Sequence, residues 1–597
     1  MTAAMSTAPS SRTVQLASTT PAQLVLRYLA MENATTLFGI PGAAIMQILY
    51  ELRVRSDTFR YVICRQETGA AYMADGYARV SDGLGVVLVT SGPGATNALT
   101  GTVNADNCGT ALLTISGEVK EMFFGMAYLQ EGIDLGLDVN EVYAAACDYS
   151  AMIDNASNFC TLFEQALRDA RSVPRRAVHV SIPLDVSLQT MTNVTIPSAP
   201  ANYRAAPTAG CDAATAASVV QALLAAQQPL ILLGNGVRRA LRGERRAAFA
   251  AFVERYAIPV MTSPEAKGIF PESHELSLRN YGLAACRWTT SYLGGPAGGH
   301  PFDALLVLGS SLGELATTVT PPSVYSPLLL PQGPFIHVDI NPEVIGRAFP
   351  VDVGIVAEAG ATMDAIFAAA EGHPVPNSAA GRRRRVADIK RDVPPAPPPP
   401  PAPTPGTVHP IALMYALNRW LPSGAQVFFD CGNCVGWSLA YLEIDPPTEL
   451  HSALAMGPMG FAVGAVIGAK LALPDAVCVA ICGDGAFVMH AGEVATAAQY
   501  GANAIWVVLA DANLAMVSQG MAEFYPGMNW TDYYRSGAPD LVGLATALGA
   551  QATLVNDEAL LGTAITAALA GAATAPQVVV VTVDPEAEPP YYVSAPS

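Results

Sequence analysis

Short runs of β-branched and aliphatic residues are separated along the chain by longer, amphipathic, alanine-rich stretches, and the alternation repeats in three blocks. The first block holds VVLVT (86–90), ALLTIS (111–116) and VHVSIP (178–183). The second holds LILLG (230–234), ALLVLG (304–309) and FIHVDI (335–340), and the third VCVAICG (477–483), IWVVLA (505–510) and VVVVTV (578–583). Such runs have almost no polar face, so both sides need cover, which is what a parallel sheet between two layers of helices provides. Three doubly wound α/β domains with parallel sheets are therefore expected. In such sheets ligands sit beyond the carboxyl ends of the strands, so chemistry is sought in the residues that follow each run.

Two composition breaks separate the blocks, a Pro, Ala and Thr rich stretch around 190–210 and a longer one at 374–408 containing PPAPPPPPAPTP. Proline lacks the amide donor and disfavours helix in the residue before it, so an extended tether is expected at the second. The expected organisation is a disordered tail at 1–18, domains at 19–190, 210–372 and 409–597, and a Pro-rich linker at 374–408. The basic run Arg382 to Arg385 lies inside that linker and reads as solvated. Residues 450–469 are uncharged but hold His451, Pro458 and four glycines, which suits a buried loop and helix rather than a membrane span.

Composition narrows the partners. Hydrophobic residues make up 51% and charged residues 14%, which favours deep burial and subunit interfaces, so an oligomer is expected. A net charge of −18 argues against a nucleic-acid partner, which requires a concentrated basic surface. The ten cysteines form no dense disulfide framework and no continuous apolar segment opens the chain, so a reduced, cytoplasmic setting is expected. The CxxC at Cys431 and Cys434 has no second ligand pair, and reads as a loop.

The sharpest chemical signal is in the third block. The run VCVAIC leads into Gly483-Asp484-Gly485-Ala486-Phe487, and IWVVLA leads into Asp511-Ala512-Asn513. The glycines allow a tight turn with amides exposed to an anion, and a carboxylate at a strand end is a hard oxygen ligand for Mg²⁺. One helix and one strand separate the two aspartates, which brings adjacent strand ends to one ion.

GDGAFVMHAGEVATAAQYG followed by VVLADANLAMVSQG resembles the diphosphate motif of thiamine-diphosphate-dependent enzymes of the acetolactate synthase family. Further blocks resemble the family in the same order over nearly the whole chain: FGIPGAAI (38–45), RQETGAAYMADGYAR (65–79), TSGPGATNALTG (90–101) and AMGPMGFAVGAVIGAKLALPDA (455–476). The resemblance implies pyrimidine-binding, central and diphosphate-binding domains, with thiamine diphosphate and Mg²⁺ as cofactors. It implies that Glu67 hydrogen-bonds the aminopyrimidine and supports the tautomer change that activates the thiazolium. It places Pro41, Gly42, Asn97, Gly457, Met459, Gly483, Asp484, Gly485, Ala486, Asp511, Asn513 and Met516 at the cofactor, with Asp484, Asp511 and Asn513 on the metal. Asn433 and Cys434 match the loop that meets the diphosphate, where the family more often has Gln and His. Gln130 matches a substrate-side glutamine, and Leu129, Val517 and Gly520 match pocket positions.

The activity implied is decarboxylation of a 2-oxo acid, by default pyruvate, with ligation to a second carbonyl compound. The active site would lie between subunits of a homodimer or homotetramer. A simple decarboxylase is the first alternative; its pyruvate decarboxylase branch uses histidines in the first domain, and here none precedes His179. An inactive regulatory or structural homologue is the second, disfavoured by the retained Glu67, Asp484 and Asp511. Hydrolytic Ser-His-acid combinations are not evident, and Gly234-Asn235-Gly236 lacks the third glycine of a dinucleotide site. Where many relatives have a flavin-contacting arginine, the chain reads Gly309-Ser310-Ser311-Leu312-Gly313-Glu314, so no tightly bound FAD is expected. Leu129 and Gly520 stand where the family commonly has Phe and Trp, which suggests room for a bulky acceptor.

Overall fold

The computed structural model describes residues 12–205, 209–294, 301–318, 325–399 and 403–591. By contact the chain divides into two compact units, Met1–Pro207 and Thr208–Ser597. The first holds one six-stranded sheet and the second holds two, and all pairings within these three sheets are parallel. The three doubly wound domains expected from the runs are thus present.

The sheet of the first unit runs Arg60–Ile63, Thr36–Gly39, Gly85–Val89, Leu112–Glu118, Ala177–Pro183, Tyr149–Met152. The last sheet of the second unit repeats this connectivity with Glu449–His451, Gln426–Phe429, Cys478–Gly483, Ile505–Ala510, Gln577–Thr582, Gln551–Val555. The middle sheet is wound differently, as Ser277–Asn280, Val260–Thr262, Pro229–Leu233, Ala304–Leu308, Phe335–Asp339, Val353–Val356. Gly85–Val89 and Leu112–Glu118 are buried at every position, as their unbroken apolar character requires. Small residues set helix spacing in the first unit. A Cβ on Gly101 of helix Pro93–Asn107 would lie 2.4 Å from the Ala71 Cβ of helix Glu67–Ser81, so the glycine lets these two helices touch.

Three expectations drawn from composition need correction. The tail expected at 1–18 is ordered at its end: Thr13–Thr19 pairs antiparallel with Met191–Pro197, which also gives strand structure to the break expected at 190–210. Residues 1–11 lie outside the described residues. The linker expected at 374–408 contains the helix Ala379–Asp392, possible because the prolines lie outside this stretch. Arg382, read as solvated, is fully buried. Its guanidinium donates to the carbonyls of Tyr256 at 2.8 Å, Ala226 at 2.5 Å and Gln227 at 3.2 Å, which end the neighbouring elements of the central domain. Backbone oxygens left over at element ends need donors, and one planar five-donor group supplies several at once. Among the described residues no helix is long and apolar enough to cross a membrane, and the uncharged stretch at 450–469 contains most of the buried helix Phe461–Ala472.

Candidate functional site

In the first unit, Glu67 is the first residue of helix Glu67–Ser81 and is buried. Asn97, on the adjoining helix, donates from Nδ2 to Glu67 Oε2 at 3.1 Å. The Gly101–Ala71 contact that brings the helices together therefore also seats Asn97 on the carboxylate. Gly42 and Pro41 follow strand Thr36–Gly39, beside the turn that follows Gly85–Val89. A Cβ on Gly42 would lie 2.4 Å from that of Thr90, so only glycine allows this approach.

Leu129 and Gln130 lie on a surface loop; Leu129 is 81% exposed and Gln130 has φ +62°. Two buried carboxylates missed in the sequence hold this loop. Glu118 accepts from the amides of Val119 at 2.7 Å and Gly132 at 3.0 Å, and burial pushes its carboxyl above the usual range. Glu131 accepts from Tyr128 N at 2.9 Å and from Gly125 N. The position of Glu131 beside Gln130 was its only sequence signal.

In the second unit the residues gather at the switch point of the last sheet, between the ends of Gln426–Phe429 and Cys478–Gly483. Asp484 opens helix Asp484–His490, and Asp511 follows the neighbouring strand Ile505–Ala510. Asp484 Oδ2 accepts from Ala512 N at 2.8 Å and holds Ala512 in a left-handed conformation, φ +56°. Burial raises both carboxyls, and for Asp511 the Asp484 charge adds to it, bringing Asp511 to about 7. Asn513 donates from Nδ2 to Ser518 Oγ at 3.1 Å, while its Oδ1 is buried without a partner. Two carboxylates and an orphaned amide oxygen are a donor set suited to a hard divalent cation such as Mg²⁺.

Asp430, at the end of the adjacent strand, ties the surrounding loops together. Its Oδ1 accepts from Cys431 N at 2.9 Å and Gly460 N at 2.8 Å, and its Oδ2 from Ala462 N at 2.8 Å, so it links the 430–434 loop to the 457–460 segment. Gly460 must be glycine, with φ +91° and a would-be Cβ 1.9 Å from the His490 ring. Met459 Cε and Leu514 Cδ2 lie 3.4 and 3.1 Å from where a Cβ on Gly485 would be, so these side chains close over the bare turn. Gly457 has φ +69° and donates to Ala453 O at 2.8 Å, near Cys431 Sγ. Gly483 ends its strand and Ala486 is buried behind the turn.

Not every expected residue points the same way. Cys434 is buried and donates from Sγ to Asp430 O at 3.0 Å, so its side chain is turned inward. Asn433 is engaged with Gln519 and Tyr591. Met516 and Val517 are exposed on helix Ala515–Phe524, and a Cβ on Gly520 would meet nothing within 4 Å.

Glycine-lined turns, amide clusters and paired carboxylates at the switch point of a parallel sheet are features of an α/β enzyme with an anionic cofactor. The N-terminal TPP binding domain of thiamine pyrophosphate enzymes matches residues 19–137, the central domain 216–366 and the C-terminal TPP binding domain 430–583. The chain is 31% identical over 560 residues to the "Putative acetolactate synthase large subunit IlvB2" of Mycobacterium tuberculosis, covering 92% of this chain and 95% of that protein. It is 29% identical over 546 residues to the acetolactate synthase large subunit of Corynebacterium glutamicum, covering 90% and 82%. The chain belongs to the thiamine-diphosphate-dependent enzymes of the acetolactate synthase family, which carry out decarboxylation and carboligation.

Proposed function

We propose that the protein decarboxylates a 2-oxo acid, by default pyruvate, and ligates the product to a carbonyl acceptor larger than pyruvate, using Mg²⁺ to hold thiamine diphosphate. The carrying observation is the assembly of Asp484, Asp511 and the unpartnered Asn513 Oδ1 at neighbouring strand ends. Thiamine diphosphate, when bound, supplies the electron sink for loss of CO₂. The chain's own groups do the rest. The carboxylates and Asn513 would hold the ion, free amides of the 483–486 and 432–434 turns would be available to the diphosphate, and Met459 and Leu514 cover Gly485 against water. Glu67 holds or releases a proton at its carboxyl, oriented by Asn97.

Ligation over simple aldehyde release is supported by His179, the first histidine of the chain, which is sealed in the core of the first unit and cannot reach a substrate as a proton donor. A roomy acceptor pocket is supported by the bare Gly520 and by Phe524 and Tyr525, which stay exposed instead of filling the space beside it. Exposed Met122, Met126 and Leu129 in one unit and Phe524, Met528 and Tyr533 in the other favour a homodimer or homotetramer that covers them. No tightly bound FAD belongs to this reading. At the switch point of the central sheet a Cβ on Gly234 would lie 2.1 Å from Gly309 O, so the two turns pack closely, and the segment 309–314 carries Glu314 and no arginine.

The test is incubation with thiamine diphosphate, Mg²⁺, pyruvate and a panel of carbonyl acceptors, with CO₂ and acyloin products identified. Ligation to a larger acceptor is expected. Preference for pyruvate over every larger carbonyl would remove the acceptor assignment, and free aldehyde as the main product would favour the decarboxylase.

A further inference from the structure

The stretch after the last strand, residues 584–591, returns to the site through a closed circuit of side-chain hydrogen bonds. Tyr591 Oη donates to Asn433 Oδ1 at 2.8 Å, Asn433 Nδ2 donates to Gln519 Oε1 at 2.8 Å, and Gln519 Nε2 donates to Ala587 O at 3.1 Å. Each donor meets an acceptor, so the circuit fixes the orientation of both amides. Packing holds the same stretch down: a Cβ on Gly436 would lie 2.6 Å from Pro589 Cβ and 2.9 Å from Tyr591 Cε1, so helix Asn433–Tyr441 needs glycine there to admit it. Tyr591 O in turn accepts from Ala284 N of the central domain at 2.8 Å.

The two amides stand at informative places. Asn433 is the first residue of the helix that follows the diphosphate-facing turn, and Gln519 lies between Val517 and Gly520 on helix Ala515–Phe524. We propose that Tyr591, Asn433 and Gln519 are positioning residues that hold the substrate-facing helix Ala515–Phe524 in register with the cofactor loop, with residues 584–591 as the strap that closes the circuit. The side chain of Asn433 serves this circuit instead of the diphosphate. This rests on the reading of the site given above, because it is Val517 and Gly520 that the circuit places before a 2-oxo acid or its acceptor.

The test uses full-length protein with thiamine diphosphate and Mg²⁺, as wild type, Tyr591→Phe, Gln519→Leu and the double variant. Hydrogen exchange of residues 515–524 is expected to quicken about three- to tenfold in each single variant, the range for losing one hydrogen bond, while Phe461–Ala472 is unchanged. The Michaelis constant for pyruvate should rise by a similar factor with the cofactor dissociation constant within about twofold of wild type. The double variant should be no worse than the worse single, since a circuit is broken only once. If Gln519→Leu does not fold, Gln519→Glu, which keeps the acceptor for Asn433 and loses the donor to Ala587, takes its place. Unchanged exchange in 515–524, additive losses, or a fall in cofactor affinity matching the rise in Michaelis constant would overturn the proposal. Absence of turnover in the wild type would count against the assigned reaction alone, since the exchange result decides the circuit independently.

Discussion

His179 makes the first unit acid-sensitive in a way that can be measured. It is fully buried, with Nε2 2.8 Å from Ser116 Oγ, Nδ1 2.9 Å from Ser150 Oγ, and its ring stacked on Tyr143 at 3.9 Å. Ser150 Oγ also donates to Asn140 O at 3.0 Å, so it accepts from His179 Nδ1, and Nε2 is left to accept from Ser116. Only the neutral ring fits this pattern, and burial pushes its pKa down to about 3 from an ordinary 6.5. The folded state therefore binds fewer protons than the unfolded state between those values. Stability from this group is complete above pH 6.5 and is lost as pH falls toward 3, at about 1.4 kcal/mol per pH unit. Between pH 6.5 and 4.5 the loss is about 2.3 kcal/mol. His179→Gln keeps one donor and one acceptor but loses the stacking, and should cost about 1.5–3 kcal/mol at pH 7.5. Hydrogen exchange of the strands Leu112–Glu118 and Ala177–Pro183, corrected for intrinsic rate, reads both. The gap between wild type and variant should shrink to near zero by about pH 5, because only the wild type must give up a proton from its unfolded-state imidazolium in order to fold. A gap that stays constant with pH would refute the reasoning. Tyr143 Oη donates to Ala95 O at 2.7 Å, in the helix that carries Asn97, so acid loosening here should also reach the Glu67 site.

Glu67→Gln should keep the fold and lose nearly all thiazolium C2 proton exchange, because an amide cannot take part in the same proton change; retained exchange by proton NMR would remove the assignment. Chelation should release the cofactor, whereas Asp511→Asn should still bind it at saturating Mg²⁺ in calorimetry, since the amide keeps one oxygen ligand beside Asp484 and Asn513. Arg382→Met should destabilise the protein by about 3–5 kcal/mol in urea unfolding, since it leaves buried carbonyls of Ala226 and Tyr256 without their donor.

Much of the site could be read from the chain because it is built locally. Asp484 and Asp511 follow consecutive strands of the same sheet, and consecutive parallel strands joined by a helix usually lie side by side, so sequence order alone brings their ends together. The apolar runs likewise determined three parallel sheets. What only the tertiary structure decided depends on contacts between distant residues. Nothing in the polar Thr13–Thr19 reveals that its partner is Met191–Pro197, because backbone pairing makes little demand on side chains at an exposed edge. Four consecutive arginines look solvated until the carbonyl ends of two other helices converge on Arg382. Asn433 and Cys434, next to each other in one motif, have separate tasks, one reaching Gln519 and Tyr591 and the other turned inward to Asp430. Local pattern determines which faces must be buried; the direction of a polar side chain is set by whichever distant donor or acceptor the fold brings within 3 Å of it.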